Sequence, residues 1–101
     1  MLNIDVKSEG REAVLTLGGK LDANTVSELK QKLEELPEEV KDISLDLSGL
    51  AYTSSAGLRL FMQYHNQLGK AGGKLVLMHP NEMICEIFDD TGMTGCLNIE
   101  K

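Results

Sequence analysis

Two serines stand where an apolar stretch of the chain gives way to a predicted helix. The segment LDLSGLAYTSSAGLRLF contains Thr53, Ser54 and Ser55 in a row, followed by the small residues Ala56 and Gly57. A serine hydroxyl at the start of a helix can accept a hydrogen bond from a free backbone N–H and so cap the helix. An unshielded hydroxyl can also receive a phosphoryl group or act as a nucleophile. The residue types alone leave these uses open.

A helix cap is the ordinary use of serines in this position, but the small residues that follow them point the other way. Gly57 falls in the first turn of the predicted helix, where glycine costs about 0.5–1 kcal/mol relative to alanine. Ala56 and Gly57 also leave the serine oxygen without bulky neighbours. The serines follow a strand, at the place where loops carry function in α/β sheets.

A phosphoryl group on Ser55 would act on a docked partner more than on the fold. It would add about −1.5 to −2 charges at neutral pH. The start of a helix favours such an anion by about 0.3–1 kcal/mol. A partner covering the same spot would have to bury the charge, which costs far more unless the charge is paired. A phosphoserine here is therefore expected to switch docking on a nearly unchanged fold.

A serine hydrolase is the least favoured use of these residues. The segment YTSSAGL superficially resembles the Gly-x-Ser-x-Gly nucleophile elbow, but Thr53 replaces the first glycine. The acid should precede the histidine, whereas His65 and His79 both precede Asp89 and Asp90. We therefore assign no catalytic residue and expect a protein that is not an enzyme.

The spacing of apolar residues predicts the elements that position the serines. LNIDVKS and AVLTLGG alternate around a turn and predict a β-hairpin. Thr25 and Glu28 form a predicted capping box for a first helix, which Pro37 ends. DISLDL and KLVLMH predict strands on either side of a second helix, from Ser55 to about Gly69. CLNIE predicts a last strand.

A third helix is predicted between KLVLMH and CLNIE. Asn81 is placed to cap it, and its inward residues are expected to be Met83, Ile84, Ile87 and Phe88. The order is thus β-β-α-β-α-β-α-β. It predicts an α/β fold in which helices pack on a mixed, mostly parallel central sheet with the hairpin at its edge. The 101 residues are expected to form one domain, residues 1–101.

Composition excludes several classes of partner. The net charge is −6, with 10 Lys and Arg against 16 Asp and Glu, which disfavours nucleic acid and an anionic membrane surface.

No apolar run approaches the roughly 18 residues of a membrane span, and no signal peptide is visible, so we expect a cytoplasmic protein. Cys85 and Cys96 fit that compartment as reduced thiols, and no metal-ligand spacing or cofactor motif is present.

The chain resembles STAS domains of the anti-sigma-factor antagonist type. The resemblance rests on GGKLDANTVSELKQKL and ISLDLSGLAYTSSAGLRLF and covers most of the chain. It implies the STAS fold and a phosphorylation-switched binding module. In that family the unphosphorylated protein binds a serine-kinase anti-sigma factor and frees the sigma factor, and a phosphatase restores the active form. The alternative is a constitutive STAS scaffold subunit, for example beside a transporter ATPase, with the serine as a cap.

The resemblance also implies the site residues. The family pattern Asp-Ser-Ser/Thr-Gly-Leu aligns on residues 54–58, which makes Ser55 the residue to be phosphorylated. Ser54 replaces the family's aspartate and is an alternative acceptor, and Ala56 replaces a hydroxyl residue. Asp22, in the loop GGKLDANT, either only builds a turn or also accepts a hydrogen bond from a cationic side chain of the kinase. The expected partner surface comprises Asp22, Asn24, Thr53, Ser54, Ser55, Ala56, Gly57, Leu58 and Arg59.

Overall fold

The computed structural model describes residues 2–101 and confirms the predicted α/β fold with its mixed sheet. The elements in chain order are β1 (Leu2–Glu9), β2 (Glu12–Leu21), α1 (Val26–Glu34), β3 (Asp42–Thr53), α2 (Ser55–Lys70), β4 (Lys74–Met78), α3 (Glu82–Asp90), a 3₁₀ turn (Met93–Gly95) and β5 (Asn98–Glu100).

The five strands lie side by side in chain order, with β1 at one edge and β5 at the other. β1 and β2 are antiparallel, and the remaining neighbours are parallel. Because each parallel pair is joined by a right-handed crossover, the three helices share one face of the sheet. Phe61 of α2 meets Phe88 of α3 within this layer, edge to face, with ring centroids 6.5 Å apart. Alternate residues of the inner strands, such as Leu15, Leu45 and Leu77, are buried beneath the helices.

β3 is longer than the predicted strand DISLDL, because it continues past Leu47 to Thr53. Its pairing with β2 is irregular at two places, where β3 contributes one residue more than its partner strand. Such bulges bend a strand and shift which residues face the core. The buried positions at this end of β3 are accordingly Leu47, Leu50 and Thr53, three residues apart instead of two. The simple alternation ends at Leu47, which is why the sequence predicted a shorter strand.

Two of the predicted helix details are wrong and one is confirmed. Thr25 makes no capping hydrogen bond to α1. Its Oγ1 instead donates to the carbonyl of Lys20 at 2.9 Å and accepts from the N–H of Asp22 at 2.9 Å. Met83 was expected in the core but is 53% exposed, since it lies about 100° round the helix axis from the buried Ile84. Asn81 caps α3 as predicted, accepting from the N–H of Ile84 at 2.9 Å.

Position 57 requires a glycine because α2 approaches the sheet closely there, not because the serine must be uncovered. A Cβ at position 57 would lie 2.7 Å from Cδ2 of Leu21 and would also overlap Oγ1 of Thr53. The first turn of α2 therefore rests directly on the ends of β2 and β3. From the sequence alone this glycine was expected to leave the serine oxygen accessible, but its physical reason is packing against Leu21.

We predict that Gly57→Ala destabilises the fold by about 1–3 kcal/mol, because the added methyl overpacks a closed contact. Gly69→Ala in the same helix is the matched control, since apart from its chain neighbours and the backbone of its own helix nothing lies within 4 Å of its Cβ position. The control should raise stability by about 0.5–1 kcal/mol through helix propensity. Urea unfolding of both variants measures the difference, and equal effects would contradict the packing argument.

Candidate functional site

The candidate site lies where the C-terminal ends of the parallel strands β2 and β3 meet. We call this end of the sheet, with Ser54, Ser55 and the Asp22 loop, the serine edge. Leu21, the last residue of β2, pairs with Thr53, the last residue of β3. The N–H of Ser54 then donates to the carbonyl of Leu21 at 2.8 Å. These contacts bring the Asp22 loop and the two serines together, although more than thirty residues of chain separate them.

Neither serine caps α2 through its side chain. Ser54 occupies the N-cap position with extended backbone, φ −93° and ψ 177°, but its hydroxyl makes no capping bond. Its Oγ is buried and has no hydrogen-bond partner among residues 2–101. Ser55 is the first residue of α2, and its side chain is exposed. The capping alternative is therefore wrong, and the hydroxyl of Ser55 is open to solvent.

The N-terminus of α2 carries uncompensated positive character. The N–H groups of Ser55, Ala56 and Gly57 precede the first intrahelical bond, which runs from the N–H of Leu58 to the carbonyl of Ser54 at 3.1 Å. No acidic residue lies in the first turn of this 16-residue helix. Aligned peptide dipoles at such an end favour an anion.

Arg59 lies one helical turn after Ser55 and is exposed. Side chains four residues apart are neighbours on the same face of a helix. Within the described chain, Arg59 takes part in no salt bridge or side-chain hydrogen bond. Its guanidinium group is thus available to an anion held at Ser55 or to a partner.

Asp22 builds the turn that enters α1. Its Oδ1 accepts from the N–H of Asn24 at 2.9 Å and from the N–H of Thr25 at 3.1 Å. The hydrogen bond from Asn24 is the main reason that the pKa of Asp22 lies below its ordinary value, and the bonds from Thr25 add to it. The turn-building reading of this residue is therefore confirmed.

The expected partner surface divides into exposed and buried members. Ser55, Arg59 and Asn24 are exposed, whereas Asp22, Ser54 and Ala56 are partly buried. Thr53, Gly57 and Leu58 are buried, so they hold the first turn of α2 in place and, in contrast to what the sequence suggested, offer a partner little surface.

Tyr52 and Met83 are exposed apolar residues that the sequence reading missed. Tyr52 directly precedes Thr53 and is 40% exposed, because the second bulge of β3 turns it outward. Met83 lies in the first turn of α3, whose cap Asn81 also donates to the carbonyl of Leu50 at 2.9 Å. α3 therefore begins beside the far half of β3, and Tyr52 lies two residues before Ser54. The sequence signal that could have identified Tyr52 is an aromatic residue two positions before the first of the two serines.

A family model described as "Mlab, STAS domain" matches residues 4–99. The chain belongs to the STAS-domain family. Two similar relatives are both named anti-sigma-B factor antagonist. The one from Bacillus subtilis is 30% identical over 97% of this chain and 90% of its own length. The one from Staphylococcus aureus is 27% identical over 99% of this chain and 94% of its own length.

Solved structures show the same fold for this STAS chain. A putative anti-sigma factor antagonist from Thermotoga maritima superposes with a TM-score of 0.87 at 19% identity, covering 97% of this chain and 86% of its own. SpoIIAA matches in its unphosphorylated form (TM-score 0.77, 98% and 88% covered) and, from Bacillus, in its phosphorylated form (0.75, 98% and 92%), both at 19% identity. Both forms thus align with this chain to a similar degree.

Among residues 2–101, no helix is long and apolar enough to cross a membrane, and no group of three or more His, Cys, Asp or Glu side chains is placed to hold a metal ion.

We predict that Asp22→Ala destabilises the protein detectably, because the N–H groups of Asn24 and Thr25 lose their acceptor. Asp22→Asn keeps an acceptor oxygen and serves as the control. Since the pKa of Asp22 is lowered in the folded state, its charge stabilises the fold above the ordinary value of 3.8, and that contribution disappears as pH falls through the folded pKa. Thermal unfolding should show the wild type above Asp22→Asn at neutral pH and the two converging in acid. A constant difference at every pH would contradict this assignment.

Proposed function

We propose that this STAS protein is an anti-sigma-factor antagonist controlled by phosphorylation of Ser55. In its unphosphorylated form it binds a serine-kinase anti-sigma factor through the serine edge of the sheet, and the sigma factor is freed. Phosphorylation of Ser55 by the same kinase ends the interaction, and a phosphatase restores it. The observation that carries the proposal is the exposed hydroxyl of Ser55 at the uncapped start of α2. The names of the relatives support the same function.

Ser55 is a better acceptor than the alternative, Ser54. A kinase must bring the terminal phosphate of ATP into line with the acceptor oxygen, which requires an accessible hydroxyl. The Oγ of Ser54 is buried, whereas the side chain of Ser55 is exposed. Modification of Ser54 would need the first turn of α2 to open, and the packing of Gly57 against Leu21 opposes that motion.

The fold tolerates a phosphoryl group at Ser55. The free N–H groups of the first turn and the absence of acidic residues there favour an anion by about 0.3–1 kcal/mol. Arg59 on the same helical face offers a guanidinium group for ion pairing. These are local interactions at the surface, so we expect the sheet and the helix layer to keep their arrangement.

A docked partner does not tolerate the same group. A kinase lying over Ser55 would bury two added charges, and an unpaired buried charge costs several kcal/mol. Each 1.4 kcal/mol is a tenfold loss of affinity. The effect on the complex is thus far larger than the effect on the fold, and this difference makes the modification a switch.

The exposed residues around Ser55 indicate the chemistry of the partner surface. Tyr52, three residues before Ser55, is 40% exposed and provides aromatic contact area, which is typical of the residues that anchor interfaces. The chain carries a net charge of −6, and Asp22 is ionised at neutral pH beside the serines. A partner with basic and apolar residues facing this edge fits it best. We place the interaction in the cytoplasm, where bacterial transcription takes place.

We predict that Ser55→Asp weakens binding to the anti-sigma factor of the same organism at least about tenfold, because a permanent charge replaces the hydroxyl. Ser55→Ala should bind like the wild type. Calorimetry measures both affinities. Kinase and ATP should add one phosphate to the wild type, located on Ser55 by mass spectrometry, and none to Ser55→Ala.

Ser54→Ala is the matched control, and it should still be phosphorylated. Equal affinities for Ser55→Asp and Ser55→Ala, with no phosphate on either serine, would contradict the proposal and favour the constitutive scaffold.

A further inference from the structure

The outer edge of β1 is unusually open to strand pairing. β1 runs through eight residues, Leu2–Glu9, contains neither proline nor glycine, and pairs with β2 without a register shift. Within residues 2–101, no strand lies on its other side, since β1 ends the sheet. By contrast, β5 at the opposite edge is only three residues long. Edge strands are normally blunted by short length, bulges, proline or charges, and only the last device is present in β1.

The turn of the hairpin determines which backbone groups of β1 face outward. Glu9 and Glu12 flank the two-residue turn Gly10-Arg11, and Gly10 has a φ of +59°, as a type II′ turn requires. The pair flanking such a turn is hydrogen-bonded, and hydrogen-bonded pairs alternate with non-hydrogen-bonded pairs along an antiparallel ladder. The N–H and C=O groups of Ile4, Val6 and Ser8 therefore point away from β2.

We infer that β1 pairs antiparallel with β1 of a second copy of this chain, with Val6 on the two-fold axis. In this register Ile4 faces Ser8 of the second copy, so the outward N–H and C=O groups of both strands meet. The two sheets join into one continuous sheet, and the symmetry makes the contact closed.

The charges of β1 favour this register over the two neighbouring ones. With Val6 on the axis, Asp5 lies opposite Lys7 of the second copy, and the symmetric pair repeats the match. Both are non-hydrogen-bonded pairs, in which opposing side chains lie closest, with Cα atoms about 4.5 Å apart. Moving the two-fold axis to residue 5 places Asp5 opposite Asp5 of the second copy. Moving it to residue 7 places Lys7 opposite Lys7 of the second copy. Those registers set like charges face to face, which is destabilising.

The surroundings of these residues agree with the pairing. Asp5 and Lys7 make no salt bridge or side-chain hydrogen bond within residues 2–101, and both are exposed. They lie opposite Thr16 and Val14, on the sheet face without helices. Val6 lies on the other face and is 36% exposed. In the dimer the two Val6 side chains would cover each other across the axis.

The test is a charge exchange followed by sedimentation equilibrium of the full chain. The wild type should dimerise with rising concentration. Asp5→Lys and Lys7→Asp each replace two attractive pairs by two repulsive ones and should raise the dimer dissociation constant about tenfold or more. The double variant Asp5→Lys with Lys7→Asp restores opposite charges and should restore dimerisation. Asp90→Lys makes the same charge change on exposed α3 and should have no effect.

Amide hydrogen exchange provides a second readout. At dimer-forming concentrations the amides of Ile4, Val6 and Ser8 should gain protection, and they should lose it in Asp5→Lys. Circular dichroism confirms that each variant is folded. A wild type that stays monomeric at every concentration, or a double variant no better than the singles, would overturn the inference. Because no kinase is involved, this result is independent of the switch at Ser55.

Discussion

The pairing of the far end of β3 with β2 is the constraint on which the candidate site depends. Two bulges allow β3 to follow β2 to its last residue, so that Leu21 and Thr53 end side by side. The hydrogen bond from Ser54 to the carbonyl of Leu21 then fixes where the strand stops. α2 begins at the very next residue. The hydroxyl of Ser55 is thus positioned by the sheet itself instead of by a loop that could move.

The residues at the start of α2 fall into two groups: some are buried and hold the helix in place, and others are exposed at the surface. Thr53, Gly57 and Leu58 are buried and hold the first turn of α2 against the sheet. Ser55 and Arg59 lie above them at the surface. Because these buried residues pack closely against the sheet, we expect a charge added at Ser55 to leave α2 in place. Under the proposed function, the cost of a phosphoryl group on Ser55 would therefore fall on the contact with a partner, as a docking switch requires.

Local pattern predicted most of the fold. The hairpin, the crossovers and the Asn81 cap each follow from residues near one another in sequence. The long β3 did not, because its bulges are defined by the register with β2 and not by its own alternation. Tyr52 was missed for the same reason. The role of Gly57 depends on Leu21, far away in the chain, and Thr25 was misread because its hydroxyl serves Lys20 and Asp22 in place of the helix. Contacts between distant segments account for each of these errors.

The proposed switch requires that a phosphoryl group on Ser55 changes what can dock and leaves the architecture alone. The most direct measurement is the amide NMR spectrum of the protein carrying phosphoserine at position 55, compared with the unmodified protein. We expect shifts confined to the first turns of α2, including Arg59, to the adjoining end of β3 and to the Asp22 loop, with the first half of β3, β4 and α3 unchanged. Shifts spreading through the core strands, or loss of α2, would contradict it.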